Sequence, residues 1–433
     1  MKHNAWHIAI MIVTALSAAA VGAVPGHAGS TVSISIWGGY PEFQPVYKKA
    51  ADAYQKAHPD VQVTVLTTEL RDFERKLAAA IPSDTAGDIL EFDPTTMNRY
   101  IVAGLIPKAP PDIVQFVHQS FQASDQKTVT VDGTVYGVPW FRGEAALYYN
   151  TAMFSEAGLS QPPKNMAEVM AYAKKLTKYD AQGRVVRSGL SFRLFGAGSG
   201  IAEKFAMWMW PRGGEILTGN GQGKYKAGYD NDAGRATLTM YLDGVYTYKV
   251  DSFDIKHDAD AFALGQTAMV VRESWVIGYI QKNAPTLKYG TAPFPMDKRW
   301  GTLSGPVNMY VSRSSKNPAV AWDFVKFLMQ PEYQQAILTD SGWIAARKDI
   351  NFDPVFAKTP QFKAFLFSNP NFVRWSMPAI KNFDEIETKM ATRLEAAYRN
   401  RSLAGNPSAI AGALHTMAQE TNSILKRDGL YGE

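Results

Sequence analysis

The chain of 433 residues contains no cysteine. Disulfides, zinc–thiolate centres and thiol nucleophiles are therefore excluded, and so is a lipid anchor built on an N-terminal cysteine. Histidine is scarce: beyond residue 28 only His58, His118, His257 and His415 occur. They are widely separated and lack metal-ligand spacing, so no metal is expected. A strong excess of one charge is lacking too. The formal net charge is +5, and no run of five basic residues exists, so nucleic acid is not an expected partner. Past the N-terminus no 18 consecutive apolar residues occur. Internal repeats, low-complexity tracts and long linkers are absent, so domains must be joined by short, ordered crossovers.

Enzyme signatures are equally sparse. Gly196-Ala197-Gly198-Ser199-Gly200 fits neither a dinucleotide loop, a phosphate-cradling loop nor a nucleophile elbow. Asp230-Asn231-Asp232 starts like a calcium loop but fails at the following positions, which leaves a polar surface turn. No cofactor is expected. One enzyme class needs only two carboxylates at a suitable separation, a secreted glycosidase. Glu42, Asp93, Glu144 and Glu273 stand in turn regions and could serve, although nothing marks two of them as a pair.

What is present begins at the N-terminus. Lys2 is the only charged residue before Glu42. An apolar run, Ile8–Leu16, leads into Ser17-Ala18-Ala19-Ala20, and Gly26-His27-Ala28 supplies small residues for cleavage. This pattern predicts a secretory signal peptide over residues 1–28, with a mature chain starting at Gly29 in the periplasm. The rival, an uncleaved anchor over Ile8–Val24, is 17 residues long and at the short end for spanning. The remaining length predicts two or more domains and a core large enough to stand without disulfides.

Local patterns alternate. Val32, Ile34 and Ile36 predict a strand, Phe43 to Ala57 a helix ended by Pro59, and Val61, Val63 and Val65 a strand. A helix over Phe73–Ile81, a strand over 88–92 and a helix over Met97–Ala103 follow. Asp132-Gly133 predicts a hairpin turn. Asn165 with Glu168 predicts a capping box, and Asn317-Pro318 and Asn406-Pro407 predict capped helix starts. Strand–helix–strand order implies an α/β fold with helices on the faces of a sheet.

Nine tryptophans follow residue 28. Trp37, Trp140, Trp210 and Trp343 adjoin glycine or proline; Trp275 and Trp375 leave apolar runs. Flat aromatics at strand ends suit a sugar, whose ring has an apolar C–H face and a polar rim. Asp93, Arg142, Glu144, Glu273 and Asn308 are the nearby polar candidates. Trp322 reads as core and Trp300 as half-buried cover. Arg193, Arg212 and Arg272 read as surface ion pairs rather than ligand clamps.

Taken in order, several segments resemble the extracellular solute-binding proteins of ABC importers, in the sugar-binding group that includes maltose-binding protein. They are the strand into Trp37-Gly38-Gly39, His58-Pro59, Gly87-Asp88-Ile89, and Asp132–Pro139 leading to Leu147-Tyr148-Tyr149-Asn150. Phe262–Met269, Trp275, Ala292-Pro293-Phe294-Pro295 and a late loop with Gly342 and Arg347 complete the set. The resemblance implies two α/β lobes with mostly parallel sheets, joined by crossing strands around a ligand cleft. The lobes would be residues 29–141 plus 305–346 and residues 142–304 plus 347–433. It implies a first cleft loop at Trp37, Gly39 and Tyr40 and a second at Asp93 and Thr95. Trp140, Arg142 and Glu144 would lie near the first crossover. Trp208, Trp210, Trp275 and Trp375 would be stacking aromatics. It also implies a monomer that hands a carbohydrate to membrane permeases coupled to an ATPase. A chemosensor partner would suit the same fold. The basic balance and the arginines near the cleft loops differ from maltose-binding protein, and leave an anionic sugar or a glycerol phosphodiester as alternative ligands.

Overall fold

The structure is a computed structural model that describes residues 31–433 apart from Ala197 and Ser368. The expected signal peptide lies outside the described residues. Alternation in β1 (Val32–Gly38) buries Ile34 and Ile36, and helical spacing in α1 (Gln44–Ala57) buries Val46, Tyr47, Ala50 and Tyr54 against them. β2 (Val61–Thr67) then lies parallel to β1, from Val32 opposite Val61 to Gly38 opposite Thr67. After α2 (Leu70–Ala80), β3 (Ile89–Phe92) pairs parallel on the other side of β1. β3 runs directly into α3 (Pro94–Val102), where Asp93 caps the helix by accepting from the Thr96 N–H at 2.8 Å.

The second half of the sheet is built from β4 (Gly137–Asn150), β5 (Met269–Glu273), β6 (Tyr289–Ala292), β7 (Gly301–Val311), β8 (Ile344–Ala345) and β9 (Val373–Trp375). The spatial order is β5-β4-β7-β3-β1-β2, with β6 and β8 on β4 and β9 on β7. β4 changes partners along its length. Gly137–Glu144 pairs with β7, and Ala145–Asn150 pairs with β5 and β6. β7 in turn reaches β3 through Asn308–Val311. Two antiparallel strands therefore run through both halves of the molecule. They make the sheet mixed: only the β1, β2, β3 and β7–β9 pairings are parallel.

Separate cores form on either side of the changeover. One half buries α1 and α5 (Pro318–Leu328) against β1 and β3, with a second cluster of Phe73, Leu77, Phe92 and Tyr100 on the opposite face. The other half buries α4 (Gly200–Met209), α6 (Phe383–Arg399) and α7 (Pro407–Arg427) together, with a smaller cluster around Tyr148, Phe262 and Ile277. No helix of the described residues is long and apolar enough to cross a membrane.

Local expectations fare unevenly. Asp132 (φ 47°) and Gly133 (φ 74°) form the predicted hairpin turn. Asn165 accepts from the Glu168 N–H at 2.9 Å, but the Glu168 carboxylate accepts from the Lys164 N–H at 2.8 Å and the Asn165 side-chain amide at 3.1 Å rather than from the Asn165 backbone N–H. Asn317 makes no side-chain cap; its amide donates to the Ser33 carbonyl at 3.3 Å and ties α5 to β1.

Candidate functional site

A cleft of ≈ 780 Å³ opens between the two halves, over the strands they share. Gly143 of β4 and Leu303–Val307 of β7 form its floor. Gly143 is required there: a Cβ would lie 2.5 Å from the Trp343 ring. That close approach lets Trp343 lie on the strand and face the cleft.

The first wall comes from the N-terminal half. β1 delivers Gly39, Tyr40 and Glu42, and the α3 cap delivers Asp93 and Thr95. Tyr40 and Trp343 meet edge to face at 5.6 Å, and both contact Phe141. The Trp343 indole N–H donates to Glu42 at 2.8 Å. Burial, with the nearby Asp93 carboxylate adding to it, pushes the Tyr40 phenol well above its ordinary value.

The second wall comes from the other half. The end of β5 carries Arg272, Glu273 and Trp275; α4 carries Glu203 and Met207; Met377, Ala379 and Glu387 follow. The Arg272 guanidinium sits 4.9 Å from the Trp275 ring centre. Behind it, Glu273 lies 2.5 Å from the Lys204 ammonium and 3.1 Å from Arg272, while Asp258 lies 2.8 Å from Arg272 and 3.0 Å from Arg193. Burial alone would raise the Glu273 carboxyl. The Arg272 and Lys204 charges win and hold it well below the usual range. Gly342 (φ 78°) brings its loop against the Trp275 backbone, where a Cβ would come within 2.9 Å of the Trp275 Cα.

Of the expected site residues, Gly39, Tyr40, Asp93, Thr95 and Trp275 stand on this cleft, and so does Glu273. The others do not. Trp37 is half-buried at the end of β1, beneath the Lys76 ammonium at 4.2 Å, on the Phe73 side of the sheet. Trp140 and Trp208 are core: both are about fully buried, and the Trp140 N–H donates to the Tyr47 hydroxyl at 2.8 Å. Trp210 and Trp375 stack on each other at 5.5 Å beside a separate ≈ 150 Å³ cavity. Arg142 bonds Glu144 at 2.6 Å, and Glu144 is fully buried between Arg142 and Arg374. Asn308 is buried and donates to the Thr128 carbonyl and the Tyr310 hydroxyl. Arg347 is held by Asp349 and the Met329 carbonyl, away from the cleft.

Arg272 is not the surface ion pair expected of it; its side chain is 12% exposed within the buried network. Arg212 is also no surface pair. It is half-buried and donates to the Trp208 carbonyl at 2.6 Å. Trp343, one of the tryptophans beside a chain breaker, also stands on the cleft, whereas sequence reasoning passed over Arg71, Glu203, Glu387 and Arg374 as wall residues. The glycine before Trp343 was a usable signal. The other four sit on ordinary amphipathic or charged stretches and carry none.

Residues 49–364 match the model of the bacterial extracellular solute-binding proteins. The chain belongs to that family. A lactose-binding protein of Rhizobium radiobacter is 23% identical, over 84% of this chain and 87% of its own length. An ABC transporter solute-binding protein of Thermotoga lettingae, solved with α-D-tagatose, superposes with a TM-score of 0.76 at 22% identity, over 91% of this chain and 100% of its own. UgpB of Mycobacterium tuberculosis, solved with glycerophosphocholine, gives 0.76 at 19%, covering 92% and 99%. The architecture is accordingly the type II periplasmic binding fold, and the chain is a solute-binding protein.

Proposed function

We propose that this protein captures a sugar or oligosaccharide in the periplasm and delivers it to the permeases of an ABC importer. One observation carries the reading: the interlobe cleft presents Tyr40 and Trp343 on one wall and Trp275 on the other, around a space fit for a small solute. Aromatic faces meet the C–H face of a pyranose, and flanking carboxylates and guanidiniums meet its hydroxyls. A solute touching both walls favours the closed arrangement, and closure is the signal that permeases read. The relatives' ligands, lactose and tagatose among them, support the same class.

The lobes divide at the β4 and β7 changeover, residues 29–141 plus 305–346 against 142–304 plus 347–433. The protein acts as a monomer after removal of residues 1–28, without nucleic acid or catalysis. The hydrolase alternative loses two of its four acids on geometry. Glu144 is locked between arginines away from the cleft, and Glu273 between Lys204 and Arg272.

The test is a thermal-shift screen of the mature protein against sugars and related solutes, since a ligand of the folded state alone raises its melting temperature. A sugar that raises it and is recovered unchanged is expected. Hydrolysis that disappears in Asp93→Asn or Glu42→Gln would overturn the binding-only reading.

A further inference from the structure

The arginines around the cleft invite an anionic ligand until their partners are traced. Arg272 is held by Asp258 at 2.8 Å and Glu273 at 3.1 Å. Arg193 is held by Asp258 at 3.0 Å. Arg374 bonds the buried Glu144 at 2.7 Å and also donates to the Phe367 carbonyl at 2.9 Å. Arg71 bonds Glu74 one turn along its own helix at 2.5 Å. Of the cations that line the cleft among the described residues, only Lys127, exposed at the rim, has no acidic partner. An anion that took Arg272, Arg193 or Arg374 for itself would strip a buried carboxylate of its counter-charge, which is strongly unfavourable, and one that shared the remaining N–H groups would meet a cation already neutralised by that carboxylate.

The acids on the same walls are differently placed. Glu203 makes its one ion pair with Lys204, at 3.7 Å, and Lys204 is already bonded to Glu273 at 2.5 Å; Arg71 and Arg272 feel its charge from farther off, but both are bonded to other acids. Glu387 makes no hydrogen bond or ion pair among the described residues. Asp93 uses one oxygen to cap α3 and leaves the other without a donor. These three come from both lobes. Asp93 and Glu203 both act on Glu387, adding to its burial in favouring the protonated acid.

We infer that the cleft selects its solute by charge: it accepts a neutral or amine-bearing sugar and refuses an anionic one, with Asp93, Glu203 and Glu387 setting that sign. The inference rests on the cleft being the binding site. Arg193, Arg272 and Arg374 are already neutralised by buried acids and offer a phosphate or carboxylate little net charge. The Asp93 and Glu203 carboxylates left over repel one and attract an ammonium group, and an ammonium beside Glu387 in turn favours its ionised form.

The experiment uses matched series on one ring, with glucose, galactose and mannose each compared with its 2-amino sugar, its uronate and its 6-phosphate. Non-sugar amines and carboxylates are screened beside them by thermal shift at pH 7.5 and low salt. Hits are then measured by calorimetry. Within any series that binds, the anionic members should bind at least about tenfold more weakly than the neutral one. In the Glu203→Gln/Glu387→Gln double variant that gap should narrow several-fold. An anionic member binding as tightly as its neutral counterpart, or a gap unchanged in the variant, overturns the inference while leaving the sugar reading intact. Hits confined to non-sugar amines overturn the sugar reading and support the charge rule; hits confined to non-sugar carboxylates overturn both. A ligand-free arm covers a screen with no hits. The double variant should melt higher than wild type at pH 7.5, because two repelling charges are gone, and an equal or lower melting temperature overturns the inference.

Discussion

The two walls of the cleft hold their aromatic faces by different physics. On the N-terminal wall Tyr40 and Trp343 are the outermost layer of a packed aromatic stack. Phe141 lies beneath them, Phe43 lies on Phe141 at 4.4 Å, and Tyr47 and Trp140 lie deeper still. On the other wall Trp275 lies on a guanidinium, and the guanidinium is held by a buried chain of alternating charges. Dispersion shapes one surface and electrostatics the other. The first should resist pH and salt, and the second should depend on which groups are ionised.

The largest expected effect lies under the first wall. Trp140→Ala removes a fully buried ring that stacks on Tyr47 and bonds its hydroxyl. It should cost ~3–5 kcal/mol of stability in denaturant unfolding. A loss below ~1 kcal/mol would mean that the stack does not support the wall. Next comes the other wall. Trp275→Ala exposes its guanidinium support but removes little core, so stability should change by less than ~1 kcal/mol. Affinity for the captured solute should fall at least about tenfold by calorimetry. If affinity survives, Trp275 is a lid over the charge network rather than a binding surface.

That contrast also explains how much could be read from the chain. Val32, Ile34, Ile36 and the α1 face announced their strand and helix because burial on one side enforces a period. Trp140 misled because Pro139 suggested a loop; Pro139 sits instead within β4, opposite Asn308 at a shift in register. Arg142, Glu144 and Asn308 were polar residues at the right place in the chain, but Arg142 and Glu144 bond each other inside the crossover, and Asn308 bonds Thr128 and Tyr310. Partners as distant as Arg374 for Glu144, 230 residues on, and Thr128 for Asn308, 180 residues back, leave no local pattern. Asp93 and Trp275 were legible because strand ends feed the cleft directly, whereas Glu387 looked like any charge on an amphipathic helix.

A third prediction concerns the joint between the walls. The Asn98 side chain, 8% exposed, donates to the Ala379 carbonyl at 3.0 Å. One residue on, Arg99 pairs with Asp384 at 3.1 Å. Both contacts cross from α3 to the segment entering α6, at the edge of the cleft that Ala379 lines. They exist only while the lobes are together, so they bias the equilibrium toward closure. Asn98→Ala should weaken solute affinity about fivefold, as the loss of one buried hydrogen bond of ~1 kcal/mol implies. Arg99→Ala should do less, because that pair is partly exposed and screened. Scattering from the unliganded variants should show a larger open fraction; an unchanged profile together with unchanged affinity would remove the latch.

The smallest effect is the sharpest test of the second wall. Burial, then repulsion from Glu203 and Asp93, with a further push from Asp384, raises the Glu387 carboxyl well above 4.5; Arg71 opposes them and loses. A carboxyl raised in the folded state holds its proton there after the unfolded chain has released it. Its contribution to stability is therefore full below about pH 4.5 and drains away as pH climbs through the raised value. Glu387→Gln cannot titrate. Its melting temperature should match wild type near pH 4 and exceed it by about 2 °C at pH 8. Parallel curves would mean that Glu387 finds a counter-charge. A gap that closes in high salt would show the repulsion to be reached by solvent. A gap that persists would place it in the dry part of the wall, where a captured solute would feel it in full.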